Sequence, residues 1–169
     1  RTWARSSTTC GRWTTDWLTK EDAPHEVPLC DFRRLSAELK PGDVLLVEGR
    51  TRIAEVIKLI TQSAWTHSAL YIGRLHDIED TALRNLGVQY YQQDHSEQLL
   101  LEALLGEGTR ITPLSKYRDD HLRICRPGGL SAADAQRVCA YAIRRLGANY
   151  DVRQLLDLAR FFFPWGILP

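Results

Sequence analysis

Residues 98–114, QLLLEALLGEGTRITPL, place two short apolar runs on either side of Gly106-Glu107-Gly108. Two strand-length runs separated by a glycine-rich reversal read as a β-hairpin, because a tight turn needs backbone conformations that glycine reaches without steric cost. A hairpin commits this part of the chain to an antiparallel sheet. The remaining elements must then be read as completing and covering that sheet.

Three further segments read as its strands or as elements beside them. LKPGD carries a turn signal at Pro41-Gly42, and DVLLVEG after it is a short apolar run stopped by Gly49, which we read as a buried strand and as the first regular element. WTHSALYIG alternates, with His67, Ala69 and Tyr71 on one face and Ser68, Leu70 and Ile72 on the other, and Gly73 ends it. HLRICRP reads as another strand.

Between these lie helices. Thr51 is placed to cap a helix through residue 62, since Ile53, Val56, Ile57 and Ile60 recur along one helical face. Residues 74–97 are polar, with a weakly helical stretch around IEDTALRNLG, and read as an insertion between neighbouring strands. Ser131 with Asp134 starts a helix whose apolar face is Ala135, Val138, Cys139, Ala142, Ile143 and Leu146, stopped by Gly147. A last helix, YDVRQLLDLARFFF, runs to Pro164. Residues 1–35 show no sustained periodicity and read as an N-terminal extension wrapping the domain through Trp13, Trp17, Leu29 and Phe32; residues 36–169 form the domain proper. The fold class expected is α+β.

Composition excludes several function classes. A net charge of +1 sets up no field to draw in nucleic acid, and the pairs Arg33-Arg34 and Arg144-Arg145 are short and interleaved with acids. No apolar run is long enough for a transmembrane span, and the arginine-rich start has no signal-peptide core. The four cysteines, Cys10, Cys30, Cys125 and Cys139, have no zinc-site spacing, and His25, His76, His95 and His121 lack metal-ligand partners and read as solvated loop residues. No metal or cofactor is therefore expected. A reducing, cytoplasmic setting fits these cysteines, with a Cys10–Cys30 pairing left open.

The residues that could carry chemistry are few. His67 lies in mid-strand beside the small Ala69, which leaves room at its ring, although a strand histidine taken alone is more often structural. Glu102 interrupts the apolar LLLEALL. It either faces solvent by alternation, or is buried and needs a cationic or imidazole partner, in which case His67 on a neighbouring strand is the natural one. Ser63 and Ser68 sit near His67 but in no nucleophile elbow.

Taken in order, LKPGDVLLVEG, an apolar helix, WTHSALYIG, LLEALLGEGTRITPL and LGANYD resemble the YiiX/YebB-like family of permuted papain-like (NlpC-type) hydrolases over roughly residues 39–163, the lecithin retinol acyltransferase group sharing the permutation. The resemblance implies a permuted papain-like fold, an antiparallel sheet packed with helices. It also implies three site residues: His67 as general base, Glu102 as the group that orients it, and Tyr150, of the element Tyr150-Asp151, as a neighbour of the cleft. The implied reaction is thiol-dependent hydrolysis or acyl transfer at an amide or ester, on cell-wall peptide or acyl-lipid substrates.

The nucleophile is where the chain departs from the family's pattern. A reactive thiol needs exposure and a lowered pKa, yet Cys139 is mid-helix on an apolar face, Cys125 is in a strand, and Cys10 and Cys30 precede the matching region. The family's cysteine follows the Tyr-Asp helix, so the expected position is beyond Pro169 and the domain is expected to be incomplete at its C-terminus. The lack of methionine and the apolar finish FFFPWGILP fit the same expectation, that end being either a core-facing edge or a peripheral membrane contact. The alternative is a non-catalytic lipid- or partner-binding module on the same fold. Oligomeric state is left open.

Overall fold

The computed structural model describes residues 30–104 and 107–149. In chain order these form α1 (Phe32–Glu38), β1 (Val44–Glu48), α2 (Arg52–Thr61), β2 (His67–Gly73), α3 (Thr81–Tyr90), β3 (Leu99–Leu104), β4 (Gly108–Pro113), β5 (His121–Cys125) and α4 (Ala132–Ile143). Single 3-10 turns at Leu75–Asp77 and Leu114–Tyr117 follow β2 and β4. The strands make one antiparallel sheet in the order β4-β3-β2-β1-β5.

The hairpin signal becomes β3 and β4, paired from Leu99↔Pro113 to Leu104↔Gly108. Gly108 has φ +74°, and a Cβ there would collide with the carbonyl of Ala148, so the turn is closed to other residues on two counts. That close approach has a purpose. Thr109 N–H donates to Ala148 O and Gly147 N–H donates to Thr109 O, both at 2.9 Å, so the turn after α4 pairs with an edge strand that would otherwise present open backbone groups.

Alternation along the strands sorts side chains into two apolar layers. Val47↔His67 and Leu45↔Ala69 pair across β1 and β2, and Tyr71↔Leu100 across β2 and β3. On this face Leu45, Val47, Ala69, Tyr71, Leu100 and Leu122 pack with Leu35 and Leu39 from α1 and its C-cap and with Leu114 and Tyr117 of the second 3-10 turn. Gln98 ties α1 to the sheet, its side-chain N–H groups donating to Ser36 O and Tyr71 Oη at 2.8 Å each. The other face buries Ile72, Leu99, Leu101 and Ile111 against Leu83 of α3 and Cys139 and Ile143 of α4. Each fully buried leucine contributes on the order of 2 kcal/mol through removal of apolar surface from water.

Caps set the helix ends as expected at Thr51, whose side chain accepts from Ala54 N–H at 3.2 Å, and at Ser131, which accepts from Asp134 N–H at 3.1 Å. The segment 74–97 does insert between the adjacent strands β2 and β3, and α3 is its helical part, capped by Asp80. Among the described residues, no helix is long and apolar enough to cross a membrane.

Three expectations need correcting or relocating. Regular structure starts earlier than the strand after Pro41: α1 precedes it, capped by Asp31, and Phe32 and Leu35 pack on the sheet, so residue 35 lies inside a helix of the folded unit. Val138, expected on the apolar face of α4, is 42% exposed. The buried set Ala135, Cys139, Ile143 and Leu146 is a narrow stripe, because α4 meets the sheet along one line and Val138 falls just off it. The last predicted helix, with Tyr150, lies outside the described residues, as do Cys10, Trp13, Trp17, His25 and Leu29.

The turn before β1 is secured by charge. Asp43, 2% exposed, accepts from Lys40 N–H and from Nε and Nη2 of Arg126, each at 2.8 Å. Burial pushes its carboxyl up, but the Arg126 guanidinium and the Lys40 amide outweigh that and hold it below the ordinary value. Gly42 beside it has φ +93°, and a Cβ there would lie 2.9 Å from that of Ala135, which places α4 directly over the turn.

Candidate active site

His67, expected in mid-strand, is instead the first residue of β2, and Glu102 is the fourth residue of β3. Strand alternation turns both toward the α1 face, and Nε2 of His67 lies 2.8 Å from Oε2 of Glu102. The Glu102 side chain is fully buried, whereas that of His67 keeps 24% of its surface. The pair thus has a sealed end and an open one.

A buried carboxylate in an apolar layer costs several kcal/mol unless its lone pairs are filled. Here they are. Thr112 Oγ1 donates to Oε1 at 2.5 Å, the Tyr117 hydroxyl donates to Oε2, and Lys116 Nζ stands 3.5 Å from Oε1. Arg110 Nε is 3.9 Å from the same oxygen. Burial alone would raise the pKa of Glu102, but hydrogen bonds from His67, Thr112 and Tyr117, with the Lys116 charge, bring it down to about 2. Burial and the charge of Glu102 push the Tyr117 phenol up, so it remains a donor.

This fixes the state of the ring. An ionised carboxylate has only acceptors, so Nε2 of His67 must carry the hydrogen, and in the neutral ring the lone pair sits on Nδ1. Nδ1 is the nitrogen left for a reacting group. Of the two readings open for Glu102 in the sequence, burial with an imidazole partner is the one realised, since the strand's solvent-facing choice is denied by α1 and the Leu114–Tyr117 turn covering that face.

The described cysteines stand apart from this pair. Cys139 is buried on the opposite face, its thiol 3.8 Å from Tyr71 O and its pKa pushed up by burial. Cys125 pairs with Val44, on that opposite side by alternation, and Cys30 donates to Asp120 O at 3.5 Å. None is a hydrogen-bond partner of His67. Ser68 points away from the site, exposed on the far face, and Ser63 accepts from Trp65 N–H at 3.2 Å. Tyr150 lies outside the described residues.

Of the described histidines, His76 is exposed and pairs with Asp77 at 3.2 Å, in keeping with a solvated residue, but His121 is no loop residue. It opens β5, where the pairing Glu48↔His121 sets its Nδ1 2.8 Å from Oε2 of Glu48, and its ring lies 4.9 Å from that of Trp65. Cross-strand pairing created that contact, and single-strand reading could not show it. Thr112, Tyr117, Lys116 and Arg110 were also missed. The hairpin register could have found Thr112 and Arg110, since the pairs Leu100↔Thr112 and Glu102↔Arg110 follow from the turn position. Nothing in PLSKY marks Tyr117.

In this α+β domain the histidine strand β2 precedes the carboxylate strand β3 in the chain and lies beside it in the sheet, the order that the resemblance to permuted papain-like proteins implies. The family model for permuted papain-like amidase enzymes (YaeF/YiiX, C92 family) matches residues 38–162, and the chain belongs to that family. The comparison with curated proteins finds no match. The fold expected from the sequence is thus the family's fold, and amidase-type hydrolysis is the activity for which the family is named.

Proposed function

We propose that His67 and Glu102 are the base and orienting residues of a cysteine amidase, acting on peptide amide bonds. The observation that carries this reading is the 2.8 Å contact between His67 Nε2 and a fully buried, ionised Glu102. Such a carboxylate holds the imidazole in one tautomer and stabilises the imidazolium that forms when the ring takes a proton.

The steps follow from that tautomer. A cysteine thiol supplied from outside the described residues gives its proton to Nδ1 of His67, and the thiolate attacks the amide carbonyl carbon. Collapse of the tetrahedral adduct breaks the C–N bond, and the proton on Nδ1 passes to the leaving amine. Water, deprotonated by Nδ1, then releases the acyl group as a carboxylic acid and regenerates the thiol. Glu102 stays ionised throughout. Tyr150 is assigned a wall of the cleft on its motif position alone.

Amides are favoured over esters because the matching family is described as an amidase, and peptide amides over acyl-lipid amides because it is classed as a peptidase. A non-catalytic binding module would have no need for a tautomer held this way. The test is labelling of the intact protein with a thiol-reactive probe, with and without His67→Ala, alongside turnover of fluorogenic peptide amides and acyl-lipid esters. Fast labelling that slows at least tenfold in the variant, with turnover of the peptide amides, is the expected result. Equal, slow labelling in both proteins would sink the enzyme reading, and turnover of the lipid esters alone would replace the substrate class.

A further inference from the structure

We infer that Tyr117 is a positioning residue, whose hydroxyl aims Oε2 of Glu102 at Nε2 of His67 and so keeps Nδ1 bare for the reacting group. The inference rests on the reading of His67 and Glu102 as a catalytic pair. It concerns how that pair is held, which neither membership of the family nor the pair itself determines.

The geometry divides the carboxylate between two hydroxyls. Thr112 fixes Oε1 at 2.5 Å, while Tyr117 and His67 share Oε2. With each oxygen tied to a different element, one in β4 and one in the 3-10 turn after it, the carboxylate plane cannot rotate away from the ring. A carboxylate held only by His67 could swing about its own side-chain torsions, because the histidine is the partly exposed member and sits at the first residue of its strand. Tyr117 is also correctly polarised for the task. Lys116 Nζ stands 3.5 Å from the Tyr117 oxygen, so the run of donors goes from ammonium to phenol to carboxylate, with the imidazole N–H arriving from the other side.

The competing explanation is that Tyr117 only fills space, since the residue is 6% exposed within the α1-side core. Its contact with His67 argues for action through the hydroxyl: the ring centroids are 6.3 Å apart and tilted by 31°, which gives the imidazole no stacked platform. Tyr117→Phe separates the two, because it keeps the ring and removes only the donor.

The experiment is NMR of the intact protein, reading the His67 ring nitrogens for tautomer and the Glu102 carboxyl carbon for its titration. In the unsubstituted protein the Tyr117 hydroxyl proton should be observable through slow exchange, and neutral His67 should be the Nε2–H form. In Tyr117→Phe the Glu102 midpoint should rise by about one unit, and the Nδ1–H population of His67 should grow roughly fivefold. Unchanged midpoint and tautomer in a folded Tyr117→Phe protein overturn the inference. Should that variant not fold, a Tyr117 hydroxyl proton exchanging as fast as a solvated phenol in the unsubstituted protein overturns it instead. Positioning and catalysis fail separately: if His67→Ala leaves thiol labelling untouched while Tyr117→Phe shifts the tautomer, the positioning holds and the enzyme reading falls.

Discussion

Two histidine–glutamate contacts of the same length, 2.8 Å, lie in this sheet, His67 with Glu102 and His121 with Glu48. Both join neighbouring elements of the sheet, and both carboxyls sit below the ordinary value. Their surroundings differ in kind. Glu102 is fully buried and accepts from the Thr112 and Tyr117 hydroxyls, with Lys116 Nζ at 3.5 Å and Arg110 Nε at 3.9 Å, while Glu48 keeps 18% of its side-chain surface and is paired with the Lys58 ammonium at 3.0 Å. For Glu48 the His121 hydrogen bond is the first cause of the lowering, against burial. The ring nitrogens are reversed as well, Nε2 facing Glu102 but Nδ1 facing Glu48. At Glu48 a close lysine ion pair shares the partly solvated carboxylate with His121, so the second pair is a staple joining β1, β5 and α2. At Glu102 the cations stand farther off, at 3.5 and 3.9 Å, and the close donors besides His67 are hydroxyls in a buried site, so the carboxylate charge faces the ring with less competition. Distance alone therefore does not identify a catalytic pair. Burial and the donors behind the carboxylate are what set the two pairs apart.

The comparison breaks most visibly in turnover. Glu102→Gln keeps the size but loses the charge and can present an N–H to Nε2, so kcat/KM on a peptide amide should fall about a thousandfold. His121→Ala should change it less than about threefold. Equal losses in the two variants would erase the distinction between the pairs.

Acid stability is the next largest effect. Glu102 titrates near 2 in the folded protein, against an ordinary value of 4.5. Because the folded value is the lower one, its stabilisation is complete above the unfolded value and is lost as pH falls from about 4.5 towards 2. The difference corresponds to about 3 kcal/mol. Urea unfolding across that range should show the native protein losing stability faster than Glu102→Gln. Parallel curves would mean the carboxylate is not held as the hydrogen bonds indicate.

Removal of the staple is a smaller change. Glu48→Ala should cost about 1 kcal/mol in chemical denaturation, because its partners are partly solvated and recover water. Glu102→Ala, which strands the Thr112 and Tyr117 hydroxyls in an apolar layer, should cost about 3 kcal/mol. Reversal of that order would show that burial is not what separates the two sites. Smallest of all is Val138→Ser, expected to shift stability by less than about 0.5 kcal/mol since Val138 is exposed.

The sheet was legible in the sequence where local chemistry decides structure. The glycine-flanked reversal between β3 and β4, the alternation of WTHSALYIG, and the caps Thr51 and Ser131 are each written within a few residues. Helix α1 escaped notice because seven residues show too little periodicity, and its Asp31 cap and buried Leu35 carry meaning only once the sheet is there to pack on. Val138 was misplaced because a 3.6-residue repeat shows that a stripe exists without showing its width.

Of the site, His67 and Glu102 could be singled out as an isolated histidine and an isolated acid within strands. Their contact depends on which strands become neighbours and in what register. Sequence by itself determined the strands, the alternation that gives each side chain a face, and the family to which the chain belongs. Tertiary structure alone decided that β2 lies beside β3, that Glu102 is buried, and that Tyr117, fifteen residues further on, returns to close its cage. The reason is physical: local propensity is set by a residue's near neighbours, whereas the protonation and aim of a buried carboxylate depend on donors that only the folded chain brings together.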